Sequence, residues 1–161
     1  MAAAGASVSD PHDPHDPHDP HDPHDLARFL AAQEDTYERA VAELRAGRKT
    51  GHWMWFVFPQ VAGLGHSAMS ERYALASLQE ARAYLHHPVL GPRLSECAAI
   101  LIALGASDAE RIFGAIDAVK LRSSMTLFAR ASDPSEDDSV YDTVLDQYFG
   151  GEPDPLTDAR L

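Results

Sequence analysis

The sequence predicts an all-α domain, and three observations carry that expectation. Apolar residues recur at helical spacing through most of the chain, capping residues stand where helices would begin, and no segment alternates like a strand between hairpin turns. With 161 residues and a hydrophobic share of 45%, the chain has the size and apolar content of one ordinary domain. Six or seven short helices with an extended aromatic segment are expected over residues 25–161, behind a disordered N-terminal tail at 1–24.

The elements follow in chain order. Residues 10–25 read DPHDPHDPHDPHDPHD, five Asp-Pro-His triplets closed by Asp25. Proline at every third position blocks helix and ladder bonding and favours polyproline II. Three readings of this repeat stay open: a solvated tail, a weak metal-binding appendage through its histidines, and a pH-sensitive segment. From Leu26 the stripe Leu26, Phe29, Leu30, Gln33, Tyr37, Val41 and Leu44 predicts one helix, with Asp25 to cap its start and Gly47 to close its end. Gly63-Leu-Gly65-His-Ser67 reads as a turn into a helix. Ser77-Leu-Gln-Glu80 and Ser107-Asp-Ala-Glu110 have capping-box form. Pro88 suits a first turn, and Leu90, Leu94, Cys97 and Leu101 form a stripe that ends at Gly105. Asp117 is placed to cap a segment that turns Leu121, Met125 and Phe128 inward. After the loose loop 131–139, Val140, Tyr141, Val144, Leu145 and Tyr148 make a last stripe before Gly150-Gly151.

Composition excludes several classes of function. No apolar run approaches the ~20 residues of a membrane span, and the N-terminus lacks the basic start and apolar stretch of a signal peptide. A soluble, cytoplasmic protein with no membrane partner is expected. One cysteine, Cys97, cannot make an internal disulfide and reads as a core thiol. Thirteen Lys and Arg against 25 Asp and Glu give a formal charge of −12, which argues against nucleic acid as a partner. The repeat carries six Asp without a cation, and the rest of the chain holds 13 basic against 19 acidic residues, a net charge of −6. Phosphate loops are absent, and so is the His-Glu-x-x-His spacing of a helical metal pair, so no cofactor or metal is implied.

Two segments carry chemistry. Residues 52–60, His-Trp-Met-Trp-Phe-Val-Phe-Pro-Gln, hold both tryptophans of the chain. Such an unbroken apolar run belongs in the interior, either as core filling or as a pocket wall with His52, Trp53, Trp55 and Gln60 as polar handles. The second segment, Lys120-Leu-Arg-Ser-Ser-Met-Thr, sets small hydroxyls between cations. That pattern suits an anion site formed by Lys120, Arg122, Ser123 and Ser124, or equally close helix packing with surface ion pairs. Arg45, Arg48 and Lys49 complement a helix C-terminus and stand near His52.

The run Gly51-His52-Trp-Met-Trp-Phe-Val-Phe-Pro-Gln60, with Ser70-Glu-Arg-Tyr-Ala-Leu75, Glu80-Ala-Arg-Ala-Tyr-Leu-His-His-Pro88 and Lys120-Leu-Arg-Ser-Ser-Met-Thr-Leu-Phe128, resembles the bacterial family called domain of unknown function 1810. The resemblance covers about residues 25–156 and implies a compact all-helical fold without an established activity. Members often carry a calpastatin label, which implies a disordered calpain inhibitor and conflicts with this density of apolar stripes. If the two segments meet in one cleft, an aromatic wall, a cationic end and hydroxyl donors would suit a small anionic molecule of nucleotide or ADP-ribose type. Hydrolysis with Glu71 or Glu80 as acid or base is one chemistry for such a site. The competing expectation is a non-enzymatic interaction module with the aromatic segment as core.

Overall fold

A computed structural model describes residues 21–135 and 139–161. The expected disorder of the repeat therefore falls, for residues 1–20, outside the described residues. Among the described residues the fold is all-helical, with α1 (Ala27–Gln33), α2 (Tyr37–Arg45), α3 (Met54–Val57), α4 (Ala68–Arg72), α5 (Leu78–His86), α6 (Leu90–Ala103), α7 (Ala109–Ala131), α8 (Val140–Phe149) and α9 (Pro155–Asp158). No helix among them is long and apolar enough to cross a membrane.

The stripe from Leu26 to Leu44 forms two helices rather than the one expected. The polar residues Glu34, Asp35 and Thr36 make a turn, closed by the Thr36 N–H on the Gln33 carbonyl at 3.1 Å. The break lets α1 pack on α3 while α2 packs on α6, which one straight rod would not do. Gln33, buried at the break, donates to the Phe56 carbonyl at 2.7 Å and to Tyr84 Oη at 3.2 Å. The cap of α1 is Asp22 rather than Asp25: its two carboxylate oxygens accept from the N–H groups of Leu26 and Ala27 at 2.8 and 2.9 Å. The last repeat residues are thus tied to the domain. His24 Nδ1 lies 3.9 Å from the buried Glu80 carboxylate, and Arg28 approaches that carboxylate at 3.8 Å.

The later caps follow the sequence with small shifts. Ser77 accepts from the Glu80 N–H at 3.2 Å, but the Glu80 carboxylate accepts from Ala76, one residue before the expected reciprocal partner. In α7 the cap is Asp108 rather than Ser107, accepting from Glu110 and Arg111. The N–H groups of Val89 and Leu90 at the start of α6 are met by His87 Nδ1, at 3.1 and 3.2 Å. Within α7, Gly114 has φ 82° and ψ 165°, a region essentially confined to glycine, and divides the element into two helical stretches. Two segments were expected here, with Asp117 near the second start.

The long stretch after Gly114 is the centre of the molecule. It packs against α5, α8 and α9, while α6 spans α2, α5 and α8. The inward stripes are buried as the spacing requires: Leu121, Met125 and Phe128 from α7, Leu90, Leu94, Cys97 and Leu101 from α6, and Tyr141, Val144, Leu145 and Tyr148 from α8. Aromatic rings link the layers, with Phe29 edge-on to Tyr84 at 5.1 Å, Tyr84 on Phe128 at 5.3 Å and Phe128 on Tyr141 at 5.8 Å. Burial also pushes the Cys97 thiol up to about 12, consistent with an inert core cysteine.

Candidate functional site

The aromatic segment is partly helical, not extended throughout. Residues 54–57 make one turn, after which Phe58 to Val61 run extended. Their backbone finds a partner in the segment before α5: Leu75 N–H donates to the Gln60 carbonyl at 2.9 Å, and Ala62 N–H to the Leu75 carbonyl at 2.8 Å. Alternate burial then splits the two tryptophans. Trp53 is fully buried and packs on Phe58, whereas Trp55 is half-buried.

Trp53 is fixed through Glu43. One Glu43 oxygen accepts from the Thr50 and Gly51 N–H groups, both at 2.7 Å, and from the Trp53 indole at 3.0 Å. Burial opposes ionisation of Glu43, but the N–H donors of Gly51 and Thr50 and the indole outweigh it and hold the carboxyl below its ordinary value. Across the buried ring lies Lys49, its Nζ 5.1 Å from the Trp53 centroid. Lys49 Nζ meets Asp117 at 2.7 Å, and the second oxygen of Asp117 is 3.4 Å from Lys120 Nζ. Lys120 Nζ in turn stands 4.9 Å over the Trp55 ring. Ring, cation, anion, cation and ring therefore alternate from Trp53 to Trp55, and the three charged groups at the centre sum to one positive charge. Ser124 lies one helical turn beyond Lys120. Its hydroxyl and the Trp55 indole nitrogen are buried and have no hydrogen-bond partner.

The structure thus brings Trp53, Trp55 and Lys120 together and sends the neighbours of Lys120 elsewhere. Arg122 donates to the carbonyls of Glu152 and Pro153 at 2.9 and 3.0 Å. Ser123 donates to the Asp154 carboxylate at 2.8 Å. Both hold the segment leading into α9. His52 is exposed, and Gln60 is half-buried beyond the helical turn. Of the carboxylates considered for hydrolysis, Glu80 is committed to Ala76, Arg28 and His24, and Glu71 sits in the first turn of α4. Sequence reasoning missed Glu43 as the Trp53 partner and Asp117 as the bridge between lysines. The Asp117-Lys120 spacing of three was a readable signal; the approach of Lys49 depends on the backbone bond from its N–H to the Ile112 carbonyl at 2.9 Å, which no local pattern shows.

A helical domain with a Trp-Lys-Asp-Lys-Trp cluster between the residue 52–60 segment and the kink of its longest helix is the class defined by fold and site. The chain belongs to the family described as "Protein of unknown function (DUF1810)", which matches residues 23–161. It is similar to a solved structure described as the conserved hypothetical protein Rv1873 from Mycobacterium tuberculosis. The two share 52% identity with a TM-score of 0.83, over 87% of this chain and 98% of that one. No curated protein matches the chain.

Proposed function

We propose that the protein binds a small anionic molecule bearing a planar ring, of nucleotide or ADP-ribose type, where the aromatic segment meets Lys49 and Lys120. The observation that carries this reading is the placement of Lys120 Nζ 4.9 Å over the half-buried Trp55 ring, beside an indole N–H and a Ser124 hydroxyl that are buried without partners. Buried polar groups left unpaired are rare, at roughly 1–3 kcal/mol each, so one on Trp55 and one a helical turn from Lys120 favour a ligand that supplies acceptors. The Trp55 ring offers a stacking surface, and Lys120 beside it supplies a cation. Ligand anion and Asp117 would compete for Lys120, which favours a modest rather than a tight complex.

A thermal-shift panel of nucleotides and sugar phosphates tests this on the wild type and on Lys120→Ala. A ligand at about 100 times its dissociation constant adds about 2.7 kcal/mol, or roughly 10 °C for a domain of this size. The expected result is a shift in the wild type that Lys120→Ala cuts by half or more. Trp55 emission should become less accessible to acrylamide in the same complex. No shift across the panel, with emission unchanged, would remove the reading. A second reading, a protein-interaction module, draws on one specific feature: Ile116 and Val119, one turn apart on α7, are 75% and 64% exposed. A protein partner there would leave the small-molecule panel silent while Ile116→Ser abolishes its capture.

A further inference from the structure

A cavity of about 620 Å³ lies away from the lysine cluster, with residues 61–64 and Ala76 on one wall and Leu156, Ala159 and Arg160 on the other. Its size is within the range of small-molecule clefts. Its chemistry is simple: apart from Arg160, every lining side chain is Val, Ala, Leu or the hydrogen of Gly63. No carboxylate of the described residues is within ion-pair distance of the Arg160 guanidinium, whereas Arg28, Arg122 and Arg130 each have one. The smaller cavity beside Arg122 differs in this respect, because Asp108, Glu110 and Asp154 line it and outnumber its cation.

Arg160 is exposed and lies just beyond α9. Its N–H is bonded to the Thr157 carbonyl at 2.9 Å in the turn that ends α9. The guanidinium presses against Gly63: a Cβ there would stand 2.1 Å from Nη1 and 2.4 Å from Cζ. Gly63 also has φ 94°, so the turn itself favours glycine. Opposite, Leu156 is 67% exposed, a large apolar side chain lining the cavity.

We propose that this cavity binds a small aliphatic monocarboxylate, with the carboxylate on the Arg160 fork and the chain along Val61, Leu64 and Leu156. A guanidinium pairs a carboxylate through two parallel N–H donors. One cation balances one negative charge, which favours a carboxylate over a phosphate monoester, which carries nearly two. Apart from Arg160 the walls offer no side-chain donor or acceptor for a sugar or a base, which makes the cavity a poorer match for the ring-bearing ligand proposed for the lysine cluster.

Calorimetric titration of the whole protein with octanoate, octanol, octylamine and octyl phosphate tests the assignment. Octanoate should saturate one site, with octanol and octylamine at least about tenfold weaker. Arg160→Gln, at an exposed position with no ion pair to lose, should keep the melting temperature of the wild type and weaken octanoate about tenfold or more. Arg160→Lys should fall between the two, because it keeps the charge and loses the fork. Leu156→Ser should weaken octanoate severalfold, and Lys120→Ala should leave it unchanged. The proposal is overturned by equal affinities for octanoate and octanol, by an unchanged constant in Arg160→Gln, by tighter binding of octyl phosphate, or by no saturation below about 10 mM.

Discussion

The Asp154 carboxylate accepts from Ser123 at 2.8 Å, from Thr157 at 2.7 Å and from the Leu156 N–H at 3.3 Å, while its own N–H donates to Thr126 at 2.8 Å. Burial opposes its ionisation, but the hydroxyls of Thr157 and Ser123 and the N–H groups of Leu156 and Thr157 prevail and hold it below the usual carboxylate range. Replacing Asp154 by Ala strands two hydroxyls and removes the cap of α9, so a loss of about 2–3 kcal/mol in urea unfolding is expected. Ser123→Ala, which removes one donor, should lose about 1 kcal/mol. Equal stability of Asp154→Ala and wild type would show that the clamp carries no load. A depressed carboxylate stabilises above its unfolded value, so the difference between wild type and Asp154→Ala should be full at neutral pH and disappear as pH falls through the folded value. The hydroxyl-rich pattern of residues 120–126 was legible as polar recognition of an anion. That one such anion is the carboxylate of Asp154, 31 residues after Ser123, was not, because nothing local to Ser123 specifies a contact of that separation.

The helices themselves were the most readable part of the chain, because spacing and inward burial are tied by the 3.6-residue period. What spacing could not settle was where a stripe breaks. Leu26 to Leu44 keeps its period across the Glu34–Thr36 turn, since α1 and α2 each bury their own part of the stripe against different neighbours. Caps were legible to within a residue at Ser77 and Asp108, but at α1 the cap lies three residues before the expected one, at Asp22. At α6 the start was legible from Pro88 and the Leu90 stripe, but its cap was not, because it is a histidine. His87 Nδ1 accepts from two N–H groups, which requires the neutral ring with its lone pair on that nitrogen. Burial lowers the His87 pKa, partly opposed by the negative charge of Asp22. The sign follows: the neutral cap contributes in full above the unfolded histidine value of about 6.5 and is lost as pH falls through the lower folded value. Near pH 7, His87→Ala should lose about 1 kcal/mol, the usual worth of an N-cap. Once the pH is below the folded value the two proteins should converge, whereas His87→Asn, a cap without a titrating group, should remain stable through the same range. A wild-type advantage that persists in acid would mean that His87 acts by packing.

Across the whole molecule, charge is distributed against the fold rather than with it. The described ion pairs are few and several lie at the surface: Arg122–Glu152 and Arg130–Asp158 are well exposed, and pairs of that kind contribute little. Lys49–Asp117 is the more buried pair and holds two distant segments together. Against these contacts stands a formal charge of −12, half of it in the triplet repeat, whose last residues are held to α1 and Glu80 through Asp22 and His24. Like charges on one compact body repel and destabilise it, and added salt screens that repulsion, with a Debye length of about 10 Å at 0.1 M falling to about 3 Å at 1 M. Salt also weakens the exposed pairs, but each of these is worth at most about 1 kcal/mol, while the net repulsion acts over the whole surface. Raising sodium chloride from about 0.02 to 0.5 M at neutral pH should therefore raise the melting temperature by several degrees. A melting temperature that falls with salt would instead make the specific ion pairs, Lys49–Asp117 first among them, the dominant electrostatic contribution to stability.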